Sequence, residues 1–254
     1  MKQNIGVIIA ARMGSSRFKG KTLSNLYGKP MLGQLIERIR KSKYAQNITV
    51  ATTYLDIDDE IEKYCGKLNC DVYRGEVDDV LRRLCGAAKH SGYDIVIEIL
   101  GDNPLVHSDI IDTVVDLFLM GEYDYVSNLT PEYPKADNLL AQFPIGVRVQ
   151  VFGLETLLKC EKMAFKDKHR EHSTSLIAEN PELFKTGFVT ADGVFDSCEK
   201  PEWTFAVNVP KNLELINQIY ASLYHVDENF KLKDVIELLS KNSEILKFMG
   251  NDAK

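Results

Sequence analysis

Ile5-Gly6-Val7-Ile8-Ile9-Ala10-Ala11-Arg12-Met13-Gly14-Ser15-Ser16-Arg17-Phe18-Lys19-Gly20-Lys21 is the stretch on which the fold turns. Ile5–Ala11 is an apolar run of strand length that stops at a charge, Arg12. A strand with one wet face would alternate; an unbroken run predicts a strand covered on both sides, as in parallel sheets. The chain then turns small, polar and basic. In open α/β sheets, ligands bind beyond the carboxyl ends of the strands. Small residues at that place let backbone N–H groups approach phosphate oxygens, and Arg12, Arg17, Lys19 and Lys21 add positive charge. The stretch lacks both the Gly-Lys-Ser/Thr of a P-loop and the Gly-x-Gly-x-x-Gly of a dinucleotide fold. From these residues alone, an anion cradle and a solvated basic loop both stand.

Outward from this stretch, apolar runs alternate with amphipathic segments. Ile48–Thr52, Ile95–Leu100, Tyr123–Ser127 and Val147–Phe152 read as strands. Met31–Lys41, Asp58–Leu68, Val80–His90, Ser108–Met120, Glu155–Phe165, Glu171–Ala178, Lys211–His225 and Lys231–Lys247 carry helical spacing. This rhythm predicts an α/β fold of three layers, α/β/α, on a mostly parallel mixed sheet. Thr130–Gln142, with Pro131 and Pro134 and no period, reads as a loop over one edge of the site. No linker or repeat interrupts the chain, so one domain over 1–254 is expected, with a small acceptor or dimerisation lobe within 130–200.

The 254 residues are 44% hydrophobic and 27% charged, the balance of a globular protein, with a net charge of −6 that disfavours nucleic acid and anionic membranes as partners. Any phosphate site must therefore be a local basic cluster. The first apolar run is too short to span a bilayer. Cys65, Cys70, Cys85, Cys160 and Cys198 are scattered and odd in number, and are expected to be reduced thiols in a cytoplasmic protein.

A second candidate centre follows the strand Ile95–Leu100: Gly101-Asp102-Asn103-Pro104. A carboxylate at a strand end suits a hard divalent cation, and the same four residues also make a good turn. Arg74, Glu76, Asp79 and Arg83 form a third group between a strand and a helix, where Asp79 is equally a helix cap.

Ala11-Arg12-x-Gly14-Ser15-x-Arg17-x-x-Gly20-Lys21, followed by Leu23 and Gly28-Lys29-Pro30-Met31-Leu32, resembles the signature of the cytidylyltransferase superfamily. Further matches run in order through Arg74-Gly75-Glu76, Asp79-Val80-Leu81, Gly101-Asp102-Asn103-Pro104-Leu105, Phe143-Pro144-x-Gly146, Arg170-Glu171-His172 and Asn180-Pro181. That group includes the enzymes that activate acylneuraminate and 3-deoxy-manno-octulosonate, and the chain is most similar to its spore-coat-polysaccharide branch. The resemblance implies a nucleotide-diphospho-sugar transferase-like fold and CMP transfer from CTP to a sugar acid or other small anionic acceptor, with release of pyrophosphate. It also implies Mg2+ as cofactor and a homodimer.

Residue by residue, it implies that Arg12 and Lys21 hold phosphates, with Ala10, Ala11, Met13, Gly14, Ser15 and Arg17 around them and Arg74 beside the nucleotide. Asp102 is then the metal carboxylate, and Arg12, Lys21 and Asp102 are the catalytic group. The chain departs from the family at Asn208, where a second metal-binding aspartate is expected; an amide oxygen can still ligate magnesium but brings no charge. It departs again at Ile145 and Arg148, where relatives carry acids. An arginine there favours a carboxylate, phosphate or phosphonate on the acceptor, and a plain surface arginine is the other reading. Arg170, Glu171 and His172 are the remaining acceptor-side candidates, with His172 a candidate base and His169 beside it a rival. Two other functions stay open: a nucleotide-sugar-dependent glycosyltransferase, although no Asp-x-Asp follows Ile95–Leu100, and a nucleotide-binding regulatory protein that has lost turnover.

Overall fold

A computed structural model describes residues 3–132, 140–172 and 174–250. The expected loop Thr130–Gln142 lies partly outside them. Among the described residues nine strands run β1 (Ile5–Ala10), β2 (Asn25–Leu26), β3 (Lys29–Pro30), β4 (Ile48–Thr53), β5 (Asp71–Gly75), β6 (Ile95–Leu100), β7 (Tyr125–Asn128), β8 (Val149–Gly153) and β9 (Thr186–Val189). The helices are α1 (Met31–Ile39), α2 (Asp59–Lys67), α3 (Val80–Ser91), α4 (Ser108–Met120), α5 (Leu154–Met163), α6 (Asp167–Glu171), α7 (Ser175–Glu179), α8 (Pro210–Leu223) and α9 (Leu232–Lys241).

Seven strands form one sheet in the order β5-β4-β1-β6-β8-β7-β9, and β2 and β3 make a separate two-stranded pair. β1 lies at the sheet's centre, parallel to β4 and β6, with Val7 opposite Ile48 and Ile97. Its continuous apolar run is explained by cover on both faces. Val7 and Ile9 pack with α1, α4, α8 and α9, whereas Ile8 packs with α3, α5 and α7. β8 is antiparallel to both β6 and β7, which makes the otherwise parallel sheet mixed.

Two expected helices are corrected. Glu171–Ala178 is not one helix: α6 ends at Glu171 and α7 starts at Ser175, with extended backbone at His172. The Ser175 hydroxyl donates to the Lys168 and His172 carbonyls, giving acceptors left by the break a local partner. Lys231–Lys247 also divides. α9 stops before Asn242 (φ −127°), and a 3-10 turn covers Ser243–Phe248. The short strand β9 carries no periodicity long enough to expect from sequence.

Candidate active site

β1 and β6 are neighbours and end side by side, so the residues after them share one edge of the sheet. The Gly101 amide donates to the Ala10 carbonyl (2.9 Å), bringing the two loops together. A Cβ at Gly101 would lie 2.8 Å from the Ala11 Cβ, so this approach needs glycine. Between the loops opens a cleft of about 260 Å³, lined by Ala10, Ala11, Arg12, Ser15, Ser16, Arg17, Lys21, Arg83, Asp102, Glu171, His172 and Asn208 among others.

The loop after β1 is closed by its own backbone. Gly20 (φ 77°) donates to the Met13 carbonyl at 2.9 Å, and the Thr22 hydroxyl donates to the Arg12 carbonyl at 2.9 Å. The Met13 amide donates to Asp58 Oδ1 at 2.7 Å. Asp58 is fully buried and also accepts from the Thr53 hydroxyl. This carboxylate beneath the loop was legible only as the start of a helix. The Met13 amide is committed to it, and neither Met13 nor Gly14 lines the cleft.

Lys21 Nζ donates to Asp102 Oδ2 at 2.6 Å, to the Val207 carbonyl at 2.8 Å and to Asn208 Oδ1 at 3.4 Å. Arg17 Nη2 donates to the same Asn208 oxygen at 3.1 Å. The Val207 amide in turn donates to the Asp102 carbonyl (2.8 Å), and Asn212 accepts from the Asn208 and Val209 amides as α8 begins. Ile145 bridges Thr204 on the chain that leads to Asn208. Gly146, at φ 90°, is essential to that contact: a Cβ would overlap the Ala206 backbone.

Arg12 Nη1 donates to the Val77 carbonyl (2.9 Å), and Arg83 donates to the Glu76 and Val77 carbonyls. Both guanidiniums are thus held by peptide oxygens of one loop and face the cleft together. Burial, with Arg12 adding repulsion, pushes the Arg83 pKa down to about 10. A buried cation held by carbonyls beside a second cation is an apt receptor for an anion.

The structure separates Arg74 from this cleft. Its guanidinium binds Asp59 Oδ1 (2.6 Å), Glu62 Oε2 (3.0 Å) and the Thr53 and Leu55 carbonyls, on the α2 side of β5. Arg83, one helical turn into α3, lines the cleft, and Arg74 does not. Asp79 caps α3, accepting from the Arg82 amide at 2.9 Å, and pairs with Arg170 at 3.3 Å. Arg170 therefore braces α6 against α3 and does not line the cleft, whereas Glu171 and His172 do. His169 is buried and hydrogen-bonded to Glu179 at 3.0 Å, away from the cleft lining. Arg148 precedes Val149, which pairs with Ile99 beside the cleft floor. Burial lowers its pKa, but Glu132, Tyr125, Glu98 and Asp102 outweigh this and hold it above the ordinary value. Its Nε is buried with no hydrogen-bond partner among the described residues.

The donor set fits magnesium. Asp102 and Asn208 offer a carboxylate and an amide oxygen to one point, both within 3.4 Å of a single ammonium. Magnesium is commonly held by one or two protein oxygens together with substrate phosphates and water. Among the described residues no three His, Cys, Asp or Glu side chains gather where they could hold a metal ion by themselves. No helix among the described residues is long and apolar enough to cross a membrane.

The cytidylyltransferase family profile matches residues 6–228. The chain is 34% identical over 248 residues to the uncharacterised protein MJ1063 of Methanocaldococcus jannaschii, covering 96% of this chain and 93% of that one. It is 28% identical over 244 residues to the spore coat polysaccharide biosynthesis protein SpsF of Bacillus subtilis, covering 93% and 94%. A solved cytidylyltransferase from Leptospira borgpetersenii superposes with a TM-score of 0.87 at 28% identity, covering 100% of this chain and 99% of that one. The matched residues contain the loop, Asp102, Arg83 and Asn208, and the chain belongs to the cytidylyltransferase family of nucleotidyltransferase enzymes.

Proposed function

We propose that this enzyme transfers CMP from CTP to a small acceptor bearing an anionic group, such as a sugar acid, in surface polysaccharide or glycoconjugate synthesis in the cytoplasm. The observation that carries this reading is the convergence of Arg12, Arg17, Lys21 and Arg83 with Asp102 and Asn208 on one cleft at the ends of β1 and β6. Four cations around a cleft in a chain of net charge −6 match a polyanion such as a triphosphate.

The reaction is displacement at phosphorus: an acceptor oxygen attacks the α-phosphorus and pyrophosphate departs. It calls for alignment and charge neutralisation rather than a covalent enzyme intermediate. Arg12, Arg83 and Lys21 hold the phosphates, and Asp102 with Asn208 would hold magnesium. Magnesium, when bound, neutralises phosphate charge and eases the departure of pyrophosphate. His172 and Glu171, which line the cleft, take the acceptor proton in this reading. Arg148 sets the charge of that side, and an arginine where the resemblance leads one to expect an acid favours a carboxylate, phosphate or phosphonate; Arg170 acts on that wall by holding α6 to Asp79.

Incubation with magnesium, each nucleoside triphosphate and a panel of acidic sugars and phosphonates, followed by pyrophosphate release, tests the reading. CTP-dependent release with an anionic acceptor is expected. Turnover of a nucleotide sugar without pyrophosphate would replace it with glycosyl transfer. CTP binding with no turnover on any acceptor would replace it with a regulatory role.

A further inference from the structure

Lys21 meets three oxygens from two separate chain segments: Asp102 Oδ2 at 2.6 Å, the Val207 carbonyl at 2.8 Å and Asn208 Oδ1 at 3.4 Å. Its side chain is 12% exposed, and that of Asp102 23%. A carboxylate, a carbonyl and an amide are hard donors of the kind a divalent cation takes, and here an ammonium fills the place. We propose that Lys21 is an internal counter-ion seated among Asp102, Val207 and Asn208, and that divalent metal enters only when a triphosphate draws the lysine away. This rests on the triphosphate reading of the loop.

The charge count decides the behaviour. The seat carries one negative charge, from Asp102, and Lys21 neutralises it. Asn208 adds oxygen but no charge, and Arg17 donates to that oxygen at 3.1 Å. A free divalent ion therefore meets a seat with no net charge whose oxygens the ammonium already occupies, and gains little by entering. An aspartate at 208 would leave a second negative charge with Lys21 still in place, so the amide makes the seat's affinity depend on where the lysine is. A triphosphate carries several charges and offers Lys21 a stronger partner. The lysine stem is flexible and its ammonium is a compact point charge, which suits a group that changes partners.

The test uses the whole nucleotide-free chain and Mn2+ as probe, with free Mn2+ followed by electron paramagnetic resonance. Wild type should bind Mn2+ weakly, and Lys21→Met at least roughly tenfold more tightly, because a unit charge has left the seat. Asn208→Asp should also tighten binding with Lys21 present. Lys21→Met combined with Asp102→Asn should lose the gain. Circular dichroism checks folding, with Lys21→Gln as substitute if Lys21→Met does not fold. Equal Mn2+ affinity in wild type and Lys21→Met overturns the proposal, as does a gain that survives Asp102→Asn. Calorimetry of CTP with magnesium and again in excess chelator separates the two levels: no binding in either rejects the triphosphate reading and this proposal together, and binding that needs the metal rejects this proposal alone. CTP binding beside equal Mn2+ affinities rejects the counter-ion role alone.

Discussion

The two walls of the cleft are built differently. The loop wall, Ala10–Lys21 with Asp102 and Asn208, is fixed by the chain itself. Backbone bonds join Gly20 to Met13, Gly101 to Ala10 and Val207 to Asp102, and buried Asp58 holds the Met13 amide from below. The opposite wall is a five-residue helix, α6, held by side-chain charges: Arg170 to Asp79, and Lys166, Lys168 and His169 to Glu179. Backbone closure leaves the loop wall little room to vary without disturbing the central sheet. Charges on α6 can change one substitution at a time. On this account one wall serves a constant ligand, the nucleotide, and the other adapts to the acceptor.

The sharpest break in that comparison is Asp102→Ala. Turnover should fall by roughly 10²–10³-fold, as when a single well-placed electrostatic partner is removed, with the circular dichroism spectrum unchanged. Near-normal pyrophosphate release would remove Asp102 from the mechanism. Next in size is Gly146→Ala, where a left-handed backbone (φ 90°) and a clash with Ala206 combine. Urea unfolding should show a loss of about 3 kcal/mol, because the contact that props the Asn208 segment is disrupted. An unchanged midpoint would show that the segment is held by something else.

The third contrast is kinetic. Arg12→Ala should raise the KM for CTP by about tenfold, the weight of one charge-assisted phosphate contact. Arg170→Ala should raise the acceptor KM and leave that for CTP alone. Matching shifts for both substrates in both variants would erase the division between walls. The smallest effect concerns pH. Lys168, His169 and Lys166 hold the Glu179 carboxyl down at about 2, below its ordinary 4.5. Its contribution is complete above the ordinary value and is lost as pH falls toward the folded one. Thermal melts of wild type should therefore drop between pH 5 and 2 more steeply than those of Glu179→Gln. Parallel curves would mean that the cluster does not brace α6.

What the sequence shows divides along the same line. β1 and β6 are legible because continuous β-branched runs have one good explanation, burial on both faces. The loop and Asp102 follow, since the ends of such strands are where ligands sit. Arg83 is harder to place: sequence puts Arg74 and Arg83 in one group, and only the packing of β5 against α2 shows that Arg74 turns to Asp59 and Glu62. Asp58 reads as the first residue of a helix, because its bond to Met13 spans 45 residues that no local period reports. The antiparallel β8 and the break between α6 and α7 are hidden for related reasons. Strand direction is a long-range choice, and a serine hydroxyl that satisfies helix carbonyls leaves no periodic mark.

The central claim is that the cleft between the ends of β1 and β6 holds the triphosphate of CTP. A crystal structure of the chain with CTP and magnesium tests it most directly. The account predicts phosphates against Arg12, Arg83 and the loop, with Lys21 withdrawn from Asp102 to meet them. CTP bound elsewhere, or bound here with its triphosphate remote from Arg12 and Asp102, would contradict it.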